Sequence, residues 1–176
     1  MTVSHVVLLG PMASGKTTLG RSLAEILRAD FIDSDASILE SRGLNAAEIA
    51  STAGVIQLHR IETEVLLTAL ATSSLSVVAA AASVVDEDRI RKHLSEHLCL
   101  WVEADAATLS RRLGSAPHRR SLSEREAEDL NRARRHKAAD LVVGRVDTTD
   151  LNVHESTAVA IGIIAPLLTD GLQRKP

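Results

Sequence analysis

The chain has 176 residues, of which 45% are apolar and 24% are charged, and its formal net charge is −3. This length fits one domain with a sizeable core, and so mild a charge argues against a protein that binds nucleic acid or a membrane surface. Aromatic residues make up only 1% of the chain, so stacking on bases is not expected.

The cysteine content and the apolar runs bear on the compartment. The single cysteine, Cys99, lies in an apolar stretch and cannot form an internal disulfide, which favours a reducing compartment. No apolar run reaches the ~18 residues that a membrane span needs, and the N-terminal apolar run is too short for a signal peptide. We therefore expect a cytoplasmic protein.

Apolar runs and helical patterns alternate along the chain. The short runs, rich in Val, Leu and Ile, predict five buried strands at His5–Leu9, Phe31–Asp33, Ser76–Ala82, Leu98–Val102 and Leu141–Val146. Apolar residues at helical spacing predict helices at Lys16–Arg28, Asp35–Arg42, Asn45–Thr52, Gln57–Ala71, Asp86–His97, Ala106–Leu113, Glu124–Ala138 and His154–Leu168. Gly114–Ser123 has no periodicity and is predicted to be a loop, and the final GLQRKP is predicted to be frayed.

This alternation predicts an α/β fold in which helices cover both faces of a five-stranded parallel sheet. We expect one domain over residues 1–176, since no linker or internal repeat divides the chain. Ligands of such sheets bind at the carboxyl ends of the strands, so polar residues that follow the strands are the first candidates for a site.

The segment GPMASGKT, at 10–17, fits the pattern Gly-x-x-x-x-Gly-Lys-[Ser/Thr] of a P-loop. Gly10 and Gly15 allow backbone conformations in which the loop amides and the following helix N-terminus face phosphates. Lys16 would carry a charge to the β- and γ-phosphates, and the Thr17 hydroxyl would ligate Mg²⁺. The motif follows a strand and opens a helix, which argues against a chance glycine-rich turn. The expected nucleotide contacts are Gly10, Pro11, Met12, Ala13, Ser14, Gly15, Lys16, Thr17 and Thr18.

The chain resembles the shikimate kinase family over nearly its whole length. The resemblance is strongest in GPMASGKTTLGRSLAEIL and FIDSDASILESRGLNAAEIASTAG, and HRIETEVLLTAL and RVDTTD also align. It implies a P-loop NTPase fold, ATP and Mg²⁺ as cofactors, a mobile lid at about 114–123, and phosphorylation of a hydroxyl on a small acid.

Two aspartates follow the second predicted strand. Asp33 and Asp35 would point to the same side if the strand continued through both. By resemblance, Asp33 helps to hold Mg²⁺, and Asp35 binds the acceptor hydroxyl and takes its proton. The alternative is that either residue merely caps the next helix.

The arginine-rich region from Arg111 to Arg135 offers several further candidates. By resemblance, Arg119 is the lid arginine that stabilises the transferred phosphoryl group, although Arg120 is adjacent. Arg112, beside Arg111, falls where the family has an adenine-facing arginine, and Arg134 falls at a substrate-binding arginine. A solvated basic helix is the alternative reading of the part beyond Glu124.

Three positions depart from the family, and all three belong to the acceptor side. The arginine that grips the substrate carboxylate aligns with His59, although Arg60 is adjacent. Three consecutive glycines align with 81–83, which are Ala, Ala and Ser, and Ser83 remains a candidate acceptor contact. Ala138 stands near the place of a tyrosine. The phosphate-binding half is therefore intact, and the acceptor-binding half is changed.

Asp86, at the end of SVVD, resembles the metal-binding aspartate of a Walker B strand. Acidic decoration of a helix N-terminus is the favoured reading, because Glu87 and Asp88 follow. Five histidines lack zinc-ligand spacing with the cysteine and are expected to be surface or packing residues: His93, His97, His118, His136 and His154.

The leading hypothesis is an ATP-dependent kinase that acts on a hydroxyl of a small polyhydroxylated metabolite. A gluconate-type kinase is the alternative among enzymes, although the His-Pro that such kinases carry after the acidic residue is missing from DSDASILES. A nucleotide-binding regulator that has lost phosphotransfer is the alternative from another class. The sequence does not specify the acceptor or the oligomeric state.

Overall fold

The computed structural model describes residues 5–114 and 124–173. Five parallel strands form one sheet in the order β2-β3-β1-β4-β5. They are β1 (Val6–Leu9), β2 (Asp30–Asp33), β3 (Ser76–Ala79), β4 (Leu98–Glu103) and β5 (Val142–Asp147). The predicted α/β fold with a five-stranded parallel sheet is confirmed.

Helices connect the strands. In the described residues they are α1 (Lys16–Leu27), α2 (Ser34–Arg42), α3 (Ala46–Ala53), α4 (Val55–Leu70), α5 (Asp88–Leu94), α6 (Ala106–Leu113), α7 (Glu124–Lys137) and α8 (Val153–Gln173), with a 3₁₀ helix at Ala82–Asp86. The predicted lid at 114–123 lies outside the described residues except for Gly114.

The region after the third strand differs from the sequence prediction. The strand ends at Ala79 rather than Ala82, because its neighbour β2 ends at Asp33, which pairs with Ala79. The chain then forms the 3₁₀ helix, and α5 starts at Asp88 instead of Asp86.

The C-terminal helix is longer than the sequence pattern indicates. We predicted an end at Leu168 and fraying beyond it, whereas α8 continues through Gly171 to Gln173. A glycine inside a helix costs only about 1 kcal/mol, and extending an existing helix by one residue needs no new nucleation.

Alternating residues of the central strand divide the core between the two faces of the sheet. Val7 and Leu9 pack in one cluster, with Trp101 and helix residues of α4 and α5. Val6 and Leu8 pack in the other, with residues of α1 and α8. This period of two, with both faces buried, explains why β1 is continuously apolar.

A third, smaller cluster lies among the helices that follow β2. It joins Ile38 of α2, Ile49 of α3 and Ile61 of α4. These helices pack mainly on one another, and they hold the α4 face that carries His59 and Glu62 over the carboxyl ends of the strands. None of the helices within 5–114 and 124–173 is both long and apolar enough to cross a membrane.

Candidate active site

A cleft of about 2060 Å³ opens at the carboxyl ends of the strands. The loop between β1 and α1 forms its floor. Gly10 has a φ of 145°, and a Cβ on it would lie 1.9 Å from the Val102 carbonyl oxygen, so no other residue fits there. Gly15 has a φ of 95° and precedes the first residue of α1. Both glycines are thus required by the loop conformation.

Lys16 lies across the opening of this loop. Its Nζ donates to the carbonyl oxygens of Gly10, at 2.9 Å, and Pro11, at 2.8 Å. Burial lowers the pKa of Lys16 to about 8, and the negative charges of Asp35, Asp33 and Glu62 oppose that shift. The ammonium is therefore still mainly protonated at neutral pH. Its two hydrogen bonds to backbone carbonyls fix its position.

Thr17 and Asp33 meet beside the lysine. The Thr17 hydroxyl donates to Asp33 Oδ2 at 2.7 Å, and Asp33 Oδ1 accepts from the Asp35 amide at 3.0 Å. Asp33 is therefore both the N-cap of α2 and a partner of Thr17. The strand does not continue to Asp35, as the same-side argument assumed, because α2 begins at Ser34. Asp35 instead lines the cleft from the first turn of α2.

A hydroxyl and a carboxylate oxygen are hard ligands that suit Mg²⁺, which keeps several waters and binds through one or two protein groups plus substrate phosphates. Among the described residues, no group of three His, Cys, Asp or Glu side chains is arranged to hold a metal by itself. The Thr17–Asp33 pair thus fits a metal that is delivered with a nucleotide.

A buried carboxyl, Glu62 of α4, faces the same cleft. It accepts a short hydrogen bond from the Ser83 hydroxyl in the 3₁₀ helix. Burial raises the pKa of Glu62, and the negative charge of Asp35 raises it further, whereas the Ser83 bond lowers it. Ser83 thus lines the cleft as a partner of Glu62.

Arg134 of α7 lies at the other end of the cleft. Its Nε donates to Asp86 Oδ2 at 2.9 Å, and its side chain is 13% exposed. Asp86 Oδ1 accepts from Lys137 Nζ at 2.8 Å. His59 lines the cleft nearby, and burial, followed by the positive charge of Arg134, lowers its pKa.

The model of the shikimate kinase family matches residues 12–162. Shikimate kinase of Mycobacterium bovis (strain BCG / Pasteur 1173P2) is 33% identical over 150 residues, which cover 83% of this chain and 85% of that protein. The chain belongs to the shikimate kinase family. The match to the shikimate kinase of Mycobacterium marinum is 37% identical over 110 residues and covers 62% of this chain, but it spans only 59% of that relative's length.

Solved structures support the fold of the family. A shikimate kinase from Acinetobacter baumannii in complex with shikimate superposes with a TM-score of 0.82 at 24% identity, covering 96% of this chain and 95% of that one. A gluconokinase from Sinorhizobium meliloti superposes with a TM-score of 0.60 at 17% identity, covering 99% of each chain. At these identities the likeness concerns the fold alone.

Most residues of the family's phosphate loop line the cleft here, from Gly10 to Ala13 and from Gly15 to Thr18. Ser14 does not: its hydroxyl is buried and has no hydrogen-bond partner among the described residues. A contact between Ser14 and the nucleotide, through its backbone amide, stays a prediction.

Arg112 contacts the phosphate loop through Thr148. Thr148 is a residue that the sequence analysis did not identify as a candidate. Its Nη1 and Nη2 donate to the hydroxyl and carbonyl oxygens of Thr148 at 2.8 and 2.7 Å, and the Thr148 hydroxyl donates to the Ser14 carbonyl at 2.9 Å. Arg112 and Arg111 line the cleft, but an adenine-facing role for Arg112 stays a prediction. Arg119 lies outside the described residues.

The acceptor candidates divide by position. His59, Ser83 and Arg134 line the cleft, whereas Arg60 is exposed and is not part of its lining. Successive residues of a helix point about 100° apart, so the orientation of His59 into the cleft turns Arg60 away. The role of Arg60 in acceptor binding thus gains no support from its position.

The structure fits neither interpretation of Asp86, the disfavoured Walker B aspartate or the favoured first-turn residue of a helix. Its carboxylate pairs with Arg134 and Lys137 rather than with Thr17 or Asp33, which does not fit a metal ligand. It also precedes α5 by two residues, so only Asp88 lies in the first turn. Arg134 is not a solvated residue of a basic helix either, because this ion pair holds it largely buried.

Glu62 was the other residue that sequence reasoning missed. The signal was a carboxylate on the apolar stripe of α4, four residues after Leu58 and four before Leu66. A buried acid at such a position must be paired or protonated, which marks it as a candidate for the site.

Proposed function

We propose that this chain is an ATP-dependent kinase that phosphorylates a hydroxyl of a small polyhydroxylated acceptor, and that shikimate is a poor substrate. The observation that carries the kinase assignment is the convergence of Lys16, Thr17, Asp33 and Asp35 at the floor of one cleft. Membership of the shikimate kinase family favours the same chemistry.

Each of these residues has a role in the proposed reaction. Mg²⁺, when bound with ATP, offsets charge on the phosphates, and Thr17 and Asp33 would hold it. Lys16 binds the β- and γ-phosphates, and the loop amides orient them. Asp35 binds the acceptor hydroxyl and accepts its proton as the phosphoryl group is transferred. Arg119 stays the proposed lid arginine.

His59 is the main reason to propose that shikimate binds poorly. An arginine holds a carboxylate through two parallel hydrogen bonds and a permanent charge. The lowered pKa of His59 keeps its ring neutral near pH 7, so it offers at most one donor. The exchange should cost about 1.5–3 kcal/mol, the usual worth of a hydrogen bond to a charged group.

The altered glycine segment adds side chains to the same end of the cleft. Ala81, Ala82 and Ser83 line it. Ala81 has a φ of −65° and a ψ of 142°, a conformation open to any residue, so the backbone here does not require glycine. The added Cβ atoms would keep an acceptor further from the main chain than glycines would.

The test is a coupled assay of MgATP turnover with two acids, shikimate and gluconate, and with related polyols that carry no charge. We expect turnover with at least one polyol, and a His59→Arg variant that improves kcat/KM for shikimate by about tenfold or more. Arg60→Gln, which alters an exposed neighbour, is the control and should leave that value unchanged. A sub-millimolar KM for shikimate in the wild type, with turnover of several per second, would refute the altered specificity.

A cytoplasmic location is proposed on the basis of the single cysteine, Cys99, which is buried, with its pKa raised to about 12. The small-molecule acceptor is the only partner proposed, and the acceptor panel also tests the gluconate-type alternative. A regulator without phosphotransfer would bind MgATP and turn over none of the acceptors.

A further inference from the structure

The ion pair between Arg134 and Asp86 changes what the acceptor end of the cleft can bind. Arg134 lines the cleft, whereas Asp86 is not among its lining residues. The hydrogen bond to Asp86 uses only Nε of the guanidinium, so it leaves the two Nη atoms available to a ligand. Any effect of Asp86 on an acceptor must therefore act through Arg134.

Asp86 reduces the attraction that Arg134 exerts on an anion. A carboxylate bound to the Nη edge would lie about twice as far from Asp86 as from the guanidinium, and Coulomb energy falls as the inverse of distance. Repulsion by Asp86 would thus remove roughly half of the attraction. Lys137 returns less than this, because its side chain is 52% exposed, against 28% for Asp86, so solvent screens its charge more.

His59 does not make up for the lost attraction. Burial, followed by the positive charge of Arg134, lowers the pKa of the His59 ring, whereas the negative charges of Asp86 and Glu87 act in the opposite direction. Glu87 is itself paired with Arg89 at 2.8 Å. The acceptor end of the cleft thus presents a partly compensated guanidinium and a neutral ring, which can donate to and accept from hydroxyl groups without a strong preference for negative charge.

We propose that Asp86 is a positioning residue that sets acceptor specificity: by holding Arg134 and offsetting its charge, it makes this end of the cleft favour an uncharged polyol over a carboxylate. This inference rests on the proposed kinase function and narrows its acceptor class. A site that binds hydroxyls can reject a carboxylate in two ways, by leaving hydrogen bonds unsatisfied and by repulsion between like charges. Asp86 supplies the repulsion.

The experiment compares shikimate with its primary alcohol, which has the same ring hydroxyls and lacks the charge. Steady-state kinetics at saturating MgATP give the ratio of kcat/KM for the two acceptors. We expect the wild type to favour the alcohol. Asp86→Asn and Asp86→Ser should each shift the ratio toward shikimate by about tenfold or more, the scale of removing one nearby like charge. The KM for ATP should not change.

Asp88→Asn is the matched control, because it removes the same charge two positions away, whereas the ion pair with Arg134 is made by Asp86, and it should leave the ratio unchanged. If the Asp86 variants instead lower kcat/KM for shikimate, Asp86 orients Arg134 for a carboxylate and the proposal is wrong. An unchanged kcat/KM ratio in the Asp86 variants also overturns the proposal, and so does a wild type that favours shikimate. The second result is measured on the wild type, so it does not depend on whether a variant folds. Failure of the kinase assignment is distinguishable, since no acceptor would then be phosphorylated.

Discussion

At the scale of single residues, the candidate site combines local motif residues with partners from distant parts of the chain. Lys16 and Thr17 follow one another, whereas Asp33 reaches Thr17 across 16 residues. Asp33 is occupied by the Thr17 hydroxyl and the Asp35 amide. These contacts of Asp33 support the proposal that Asp35, rather than Asp33, acts on an acceptor.

We predict that Asp35→Asn lowers kcat by about 10²-fold or more, the usual scale for loss of a general base. Asparagine keeps the size of the side chain but cannot take the acceptor proton. ATP binding should be nearly unchanged, because Thr17 and Asp33 remain. Steady-state kinetics with a competent acceptor and ATP titration would measure both. Glu40→Gln, an exposed change in the same helix, is the control; a large loss of ATP affinity in Asp35→Asn would instead assign Asp35 to the metal site.

At the scale of secondary-structure elements, α4 and the 3₁₀ helix meet through one buried polar contact. Glu62 accepts from Ser83 where both elements face the cleft. Desolvation favours the neutral carboxylic acid at this position, which explains the raised pKa of Glu62.

This raised pKa makes stability depend on pH with a defined sign. Since the folded state holds the Glu62 proton more tightly than the unfolded state, folding stability falls as pH rises from the unfolded pKa, near 4.5, through the raised folded pKa. Glu62→Gln should remove this loss, so the variant gains stability relative to wild type as pH rises through that window. Urea unfolding from pH 4 to pH 8 measures the difference.

Glu64→Gln is the matched control, because Glu64 is 61% exposed and lies two residues away on the same helix. We expect that control to follow the wild-type pH profile within a few tenths of a kcal/mol, the worth of an exposed ion pair. A pH profile of Glu62→Gln that runs parallel to that of the wild type would contradict the raised pKa of Glu62.

At the scale of the whole molecule, the phosphate loop ties the two halves of the sheet together. The loop starts from β1 at the centre, and Thr148, just after the edge strand β5, donates to the Ser14 carbonyl. A nucleotide bound by this loop would therefore stabilise the fold as a unit, because it binds only the folded state.

MgATP at about 100 times its Kd should stabilise the protein by ~2.7 kcal/mol, which corresponds to a rise in Tm of roughly 5–10 °C for a domain of this size. Thermal unfolding followed by fluorescence of Trp101, the sole tryptophan, gives the measurement. Lys16→Ala should lose most of the rise while its Tm without nucleotide stays within a few degrees of wild type. Lys92→Ala, at an exposed site, should keep the rise in full.

The sequence by itself determined the elements whose signals are contiguous. The phosphate loop is a run of eight residues, and its glycines and lysine lie within that run. The buried strands are short apolar runs. Both can be identified without knowing what packs against them. Boundaries were less certain where the end of a strand depends on its neighbours, as at Ala79, or where a helix outlasts its apolar pattern, as at Gln173.

Only the tertiary structure decided how charged residues pair and which of them face the cleft. Asp86 and Arg134 are 48 residues apart, and Glu62 and Ser83 are 21 apart. No local pattern encodes such a contact, because the energy of an ion pair depends on distance and burial, and the packing of different helices sets both. The sequence thus located the phosphate loop of the candidate site, while folding determined which charges pair in the proposed acceptor half.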